Sequence, residues 1–142
     1  MQLNPYLMFN GQCEAAFKFY EQVLGAKIVA MLTYADMPES ARANSPECSG
    51  PTSQKTIMHA RLMVGDAVLM GSDAPADRYE PAKGITVTLG IDEPAEAERV
   101  FHGLAEGGSV TMPIQETFWA RRFGMLTDRF GTPWMINCEK PQ

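Results

Sequence analysis

Histidine is nearly absent from this chain: His59 and His102 are the two imidazoles among 142 residues. Imidazole is the commonest protein ligand for a metal and the usual proton carrier near neutral pH, so a site of either kind has little to draw on. Cysteine is scarce too. Cys13, Cys48 and Cys138 are odd in number and far apart, which excludes the short paired spacings of zinc knuckles and redox motifs and predicts reduced thiols. Basic charge is in deficit, with twelve Lys and Arg against seventeen Asp and Glu for a net charge of −5. The cationic face that nucleic acid requires is therefore missing. No apolar run approaches the roughly 20 residues of a membrane span, and the start, MQLNPYL, lacks the charged and apolar regions of a signal peptide. These absences predict a cytoplasmic protein with neither nucleic acid nor membrane as partner. Phosphate loops are missing as well: neither G-x-x-x-x-G-K nor a strand leading into G-x-G-x-x-G occurs.

What is present is enough length to bury a core without a metal or disulfide, and ten methionines. Methionine fills irregular gaps and lines adaptable surfaces, so its abundance suits an apolar pocket as well as plain packing. Read in order, residues 3–9 (LNPYLMF) form a first strand. Residues 13–24 then place Cys13, Ala16, Phe17, Tyr20, Val23 and Leu24 at helical spacing, with Glu14, Lys18 and Glu21 turned outward and Gly25 closing the helix. Residues 26–35 resume as a strand. From 36 to 54 the pattern fails in a polar, proline-bearing stretch, which reads as a lid, a dimer contact or a passive loop. Residues 55–64 alternate, placing Met58, Ala60, Leu62 and Val64 on one face and Ile57, His59, Arg61 and Met63 on the other. Gly65 and Asp66 then turn the chain into 67–72.

A linker at 75–83 leads to a second half that repeats the first. Moving Gly25 onto Gly107, a shift of 82 residues, also lays Ala15 on Ala97, Phe19 on Phe101 and the strand 3–9 on 85–91. Residues 93–106 give a helix burying Ala97, Val100, Phe101 and Leu104, and 110–118 give a strand. In the strand 85–91, Ile85, Val87, Leu89 and Ile91 belong under the helix, with Thr86, Thr88 and Gly90 on the other face. The segment 116–137, ETFWARRFGMLTDRFGTPWMIN, closes the chain with a hairpin whose turn is Asp128 to Thr132 and whose last strand starts at Pro133. The order is βαβββ twice. The fold class is therefore α+β, a single domain over 1–142, with module one at about 1–74 and module two at about 84–142.

That closing segment, with PYLMFNG near the start, EAAFKFY after it and IMHARLMVGDAVLMGSD in the middle, resembles the PhnB-like branch of the glyoxalase/bleomycin-resistance/dioxygenase superfamily, the vicinal oxygen chelate proteins. The resemblance runs from about Pro5 to Asn137. It implies two βαβββ modules forming a curved sheet around a cavity, and a homodimer. In metal-using relatives, four strands each present a His or Glu to a divalent ion on the cavity floor. Here the corresponding places fall at Asn4 or Pro5, Leu69 or Met70, Thr86 and Met135. None offers imidazole or carboxylate, so no metal and no other cofactor is expected. A displaced metal held by His59 and Glu116 with Asp73 is the competing reading, as a lyase, isomerase or dioxygenase-like enzyme.

For a small-molecule ligand in the cavity between the modules, His59 and Arg61 are the candidate polar anchors, able to orient an anion and move a proton. Met70, Thr86, Trp119 and Met135 are candidate walls. Glu116 and Arg122 join them, because Trp119 can cover a flat ligand and Arg122 can hold its charge. Trp119 with Phe118 also reads as filling a dimer seam, where Trp and Arg are enriched. Asp128 and Gly131 are assigned to turn geometry, and Cys13 to helix packing rather than nucleophilic catalysis. PhnB-like sequences also carry a demethylubiquinone methyltransferase label. A methyltransferase of the usual kind needs a doubly wound sheet with a glycine-rich first turn, and βαβββ supplies neither.

Overall fold

A computed structural model of the chain describes residues 1–36 and 56–141. The stretch 36–54, read above as a lid, dimer contact or passive loop, falls, apart from Asp36, outside the described residues. The chain forms two compact units, Met1–Glu80 and Pro81–Gln142, and each is a strand, a helix and three strands. The expected order is therefore present in both.

The first unit comprises β1 (Tyr6–Phe9), α1 (Cys13–Leu24), β2 (Lys27–Thr33), β3 (Ile57–Val64) and β4 (Ala67–Asp73). Its sheet runs β1-β4-β3-β2, with β1 parallel to β4 and the other pairs antiparallel. Helix α1 forms where its apolar spacing predicts. Cys13, Ala16, Phe17 and Tyr20 are wholly buried, and burying each ring contributes roughly 1.5–3 kcal/mol. Gly25 ends the helix in the left-handed conformation at φ 64°, which other side chains resist. The helix start is capped from a distance. No side chain of its own N-cap, Gln12, bonds the first turn; instead the Cys13 N–H donates to Asp73 Oδ1 at 2.9 Å, and the Ile57 N–H donates to Asp73 Oδ2 at 2.9 Å. One buried carboxylate thus ties α1 to the start of β3. Glu21, expected to face outward, accepts from the Ile28 N–H at 2.8 Å and anchors the turn into β2.

The second unit comprises β5 (Val87–Gly90), α2 (Pro94–Ala105), β6 (Ser109–Gln115), β7 (Ala120–Thr127) and β8 (Pro133–Glu139), with sheet order β5-β8-β7-β6. Helix α2 starts with Pro94 in its first turn and buries Ala97, Val100, Phe101 and Leu104, as its spacing predicts. Two glycines let the helices approach their sheets. A Cβ on Gly124 would sit 2.7 Å from the Phe101 ring, and one on Gly71 would sit 3.0 Å from the Phe17 ring. The turn into β8 is built around Asp128, which is 3% exposed. Its Oδ1 accepts from the Phe130 and Thr132 N–H groups at 2.8 and 3.0 Å, and its Oδ2 accepts from Trp134 Nε1 at 2.8 Å. Asp128 therefore fixes a core indole as well as the turn.

Strand ends differ from expectation where the sheet cannot pair them. β1 begins at Tyr6 and β5 at Val87, because those are the first residues with a register partner, Met70 and Trp134. Ile85, expected under the helix, is 75% exposed. β6 ends at Gln115 rather than Phe118, since Thr117 and Ala120 close a tight hairpin turn in which the Thr117 N–H donates to the Ala120 carbonyl at 3.0 Å and the Ala120 N–H to Thr117 Oγ1 at 3.0 Å. β6 is an edge strand containing Pro113, and its register against β7 slips twice, between Val110 and Met112 and between Met112 and Gln115.

Candidate functional site

Each sheet carries its helix on one face, and strand register defines what lies on the other, here the far face. In the first unit Tyr6 stands opposite Met70, and Met70 opposite Arg61; Arg61 in turn faces Ala30 on β2. Directly paired residues share a face, so these four form one row. Met8, opposite Ser72, and Leu32, opposite His59, continue the far face one step along. Leu69, Asp73, Ala60 and Leu62 have the opposite parity and are buried.

On this face the Tyr6 hydroxyl lies 3.2 Å from His59 Nδ1, and the two rings stack with centroids 5.8 Å apart. With the imidazole proton on Nε2, Tyr6 donates to Nδ1 and the Nε2–H is left for another acceptor. Arg61 is exposed, and among the described residues no carboxylate pairs with it. Sequence reading missed Tyr6. The signal was present in the alternation of PYLMF, where Tyr6 and Met8 part from Leu7 and Phe9, but an assumed strand start at Leu3 drew attention to Asn4 and Pro5 instead.

In the second unit Thr88 stands opposite Met135, Met135 opposite Met125, and Met125 opposite Met112. Thr88 Oγ1 lies 3.7 Å from Met135 Sδ. Gly90, Asn137, Phe123 and Gln115 form the adjacent row. Thr86, the expected wall residue, precedes β5, and Thr88 takes the place across from Met135. Trp119 packs edge-on against Phe123 with centroids 5.2 Å apart and is 45% exposed, while Phe118 is 88% exposed.

Two other expected ligand residues are engaged elsewhere. Arg122 lies opposite Cys138, a buried residue, on the helix side of the sheet; its Nε donates to Glu98 Oε1 on α2 at 3.0 Å and its Nη1 to the Arg121 carbonyl at 2.6 Å. Glu116 lies 3.7 Å from Lys140 Nζ beside the β6–β7 turn. Cys13 is wholly buried, and that burial, reinforced by the carboxylates of Asp73 and then Glu14, pushes its thiol far above the usual range. A thiol held protonated is a poor nucleophile.

These topologies set the chain beside known proteins. The model of the Glyoxalase/Bleomycin resistance protein/Dioxygenase superfamily matches residues 2–136. The chain belongs to that superfamily. Protein YjdN of Escherichia coli (strain K12) is 40% identical over 144 residues, covering 100% of this chain and 98% of that protein. Protein PA1353 from Pseudomonas aeruginosa superposes with a TM-score of 0.83 at 49% identity, covering 99% of each chain. The PhnB protein from Bacillus cereus shares the fold with a TM-score of 0.78 at 24% identity, covering 97% of this chain and 99% of that one.

The divalent-ion site that superfamily membership implies requires imidazole or carboxylate side chains on the far faces. The residues at the matching register positions are Tyr6, Met70, Thr88 and Met135, and they do not fit a hard divalent ion. The displaced site fares no better. Asp73 lies on the helix side of its sheet, opposite in parity to His59, with both oxygens accepting backbone N–H groups. Among the described residues no three of His, Cys, Asp and Glu come together as a metal site, and no helix is long and apolar enough to cross a membrane.

Proposed function

We propose that this superfamily member is a cytoplasmic homodimer that binds a small, partly apolar anion on the far face of its first unit without a divalent metal. The single observation that carries the reading is Arg61: an exposed guanidinium with no carboxylate partner among the described residues, set in a row between Met70 and Ala30 and one step from the Tyr6–His59 pair. The guanidinium fork takes two anion oxygens, the His59 Nε2–H a third, and Met70 with Met8 supplies the apolar contact. Trp119 and Phe118, exposed beside each other at a hairpin turn, suit a subunit seam. A methyltransferase reading has no support in two mixed sheets of order β1-β4-β3-β2 and β5-β8-β7-β6, since neither provides a doubly wound nucleoside site.

Phenylphosphonate, an apolar ring with an anionic head, is the test ligand. Binding is expected to raise the melting temperature of the wild-type protein, with about 2.7 kcal/mol of stabilisation at 100-fold over Kd. Arg61→Met is expected to abolish the shift while melting normally without ligand. A wild-type protein that shows no shift at millimolar ligand, or an Arg61→Met variant that shifts equally, overturns the reading. The homodimer requires a light-scattering mass of twice 15.7 kDa.

A further inference from the structure

The two units share one topology but not one floor. In the first, the row across the far face reads Tyr6, Met70, Arg61, Ala30; in the second, the row in the same topological place reads Thr88, Met135, Met125, Met112. Three thioethers therefore stand side by side on three adjacent strands. Neighbouring strands are about 4.8 Å apart, so the outer two β-carbons are roughly 10 Å apart and flank the third. Methionine's unbranched arm closes such a span by leaning toward the middle strand. Met112 is 39% exposed at the free edge, and Met125 and Met135 are half-buried, so the sulfurs are not sealed in the core.

We propose that Met112, Met125 and Met135 form a binding site for a soft monovalent cation of the Cu(I) class. Neutral thioethers favour a soft ion and are poor partners for a hard divalent one. Met135, one of the four positions where the superfamily's divalent ligands would stand, thus belongs instead to a row with the opposite preference. Met135 keeps a sulfur lone pair for the ion beyond the one facing the Thr88 hydroxyl. The two described thiols are out of reach of an ion on this face. Cys13 and Cys138 are wholly buried, and the Cys138 thiol donates to the Asp92 carbonyl at 3.4 Å.

The site is tested on the full-length protein carrying Cys48→Ser, which removes the remaining thiol. Anaerobic titration of Cu(I), held by a chromogenic Cu(I) chelator, is expected to show one equivalent withdrawn per chain. Met125→Leu and, separately, Met112→Leu are expected to weaken retention more than ten-fold. Met112→Leu sits on an exposed edge and keeps the fold. Met31→Leu, in the other unit, is expected to leave Cu(I) retention unchanged, and Met125→Leu and Met112→Leu are expected to keep the phenylphosphonate shift, so loss of the anion site and loss of this one are distinguishable. No withdrawal of Cu(I) from the chelator, or equal retention by Met125→Leu and Met112→Leu, overturns the proposal.

Discussion

Asp128→Asn isolates one bond in the second unit's core. Asp128 accepts two turn N–H groups through Oδ1 and the indole N–H of the fully buried Trp134 through Oδ2. Asparagine can keep the turn contacts only by presenting its NH2 to the indole N–H, donor against donor. The lost charge-assisted bond is worth about 1.5–3 kcal/mol, and the stranded buried donor about 1–3 more. A total of about 2.5–6 kcal/mol corresponds to a fall of at least roughly 5–10 °C in Tm for a chain of this size. Urea unfolding followed by tryptophan fluorescence in a Trp119→Phe background reads Trp134 alone. The decisive measurement is the double-mutant cycle with Trp134→Phe, followed by far-UV circular dichroism because no tryptophan then remains; that change removes the indole donor and so should reduce the cost of Asp128→Asn by more than 1 kcal/mol. A cost independent of the residue at 134 refutes the assignment and returns Asp128 to turn geometry alone.

Gly71→Ala and Gly124→Ala are each expected to destabilise by about 1–3 kcal/mol, because the added methyl meets the Phe17 or Phe101 ring; Phe101→Leu should partly rescue Gly124→Ala in the same thermal melts. Above about pH 8.5 the unfolded chain releases the Cys13 proton while the folded chain keeps it, so stability should fall as pH rises, by up to about 1.4 kcal/mol per pH unit. Comparing wild type with Cys13→Ala in urea from pH 7.5 to 10 isolates that slope; equal slopes would show that the thiol ionises normally. Arg122→Gln is expected to lower stability by about 0.5–1 kcal/mol through its half-exposed pair with Glu98, and to leave phenylphosphonate affinity within two-fold by calorimetry.

The helices were legible because their apolar residues recur on one face: Cys13, Ala16, Phe17 and Tyr20 in the first, and Ala97, Val100, Phe101 and Leu104 in the second, are the buried sets. The hairpin turn at Asp128 was legible for the same local reason. Strand starts were not, since pairing begins only where a partner strand exists, which local pattern does not report. This moved Asn4 and Pro5 out of β1, brought in Tyr6, and replaced Thr86 by Thr88. The remote cap by Asp73 was invisible because it joins residues 60 positions apart. Arg122 was read from its aromatic neighbours in sequence, whereas strand alternation places it with Gly124 and Leu126 on the side that faces α2. The methionine row was hidden because two slips between β6 and β7 defeat counting by twos.

Those slips have a wider consequence. Pro113 removes one amide donor from β6, and the irregular spacing on either side breaks the regular run of donors and acceptors that a foreign strand would match. The second unit can meet another molecule through side chains there, but it is a poor template for fibrous growth. A chain with exposed Val110 and Met112 on that border should consequently stay in solution at concentrations where a straight, proline-free version of the same strand would precipitate.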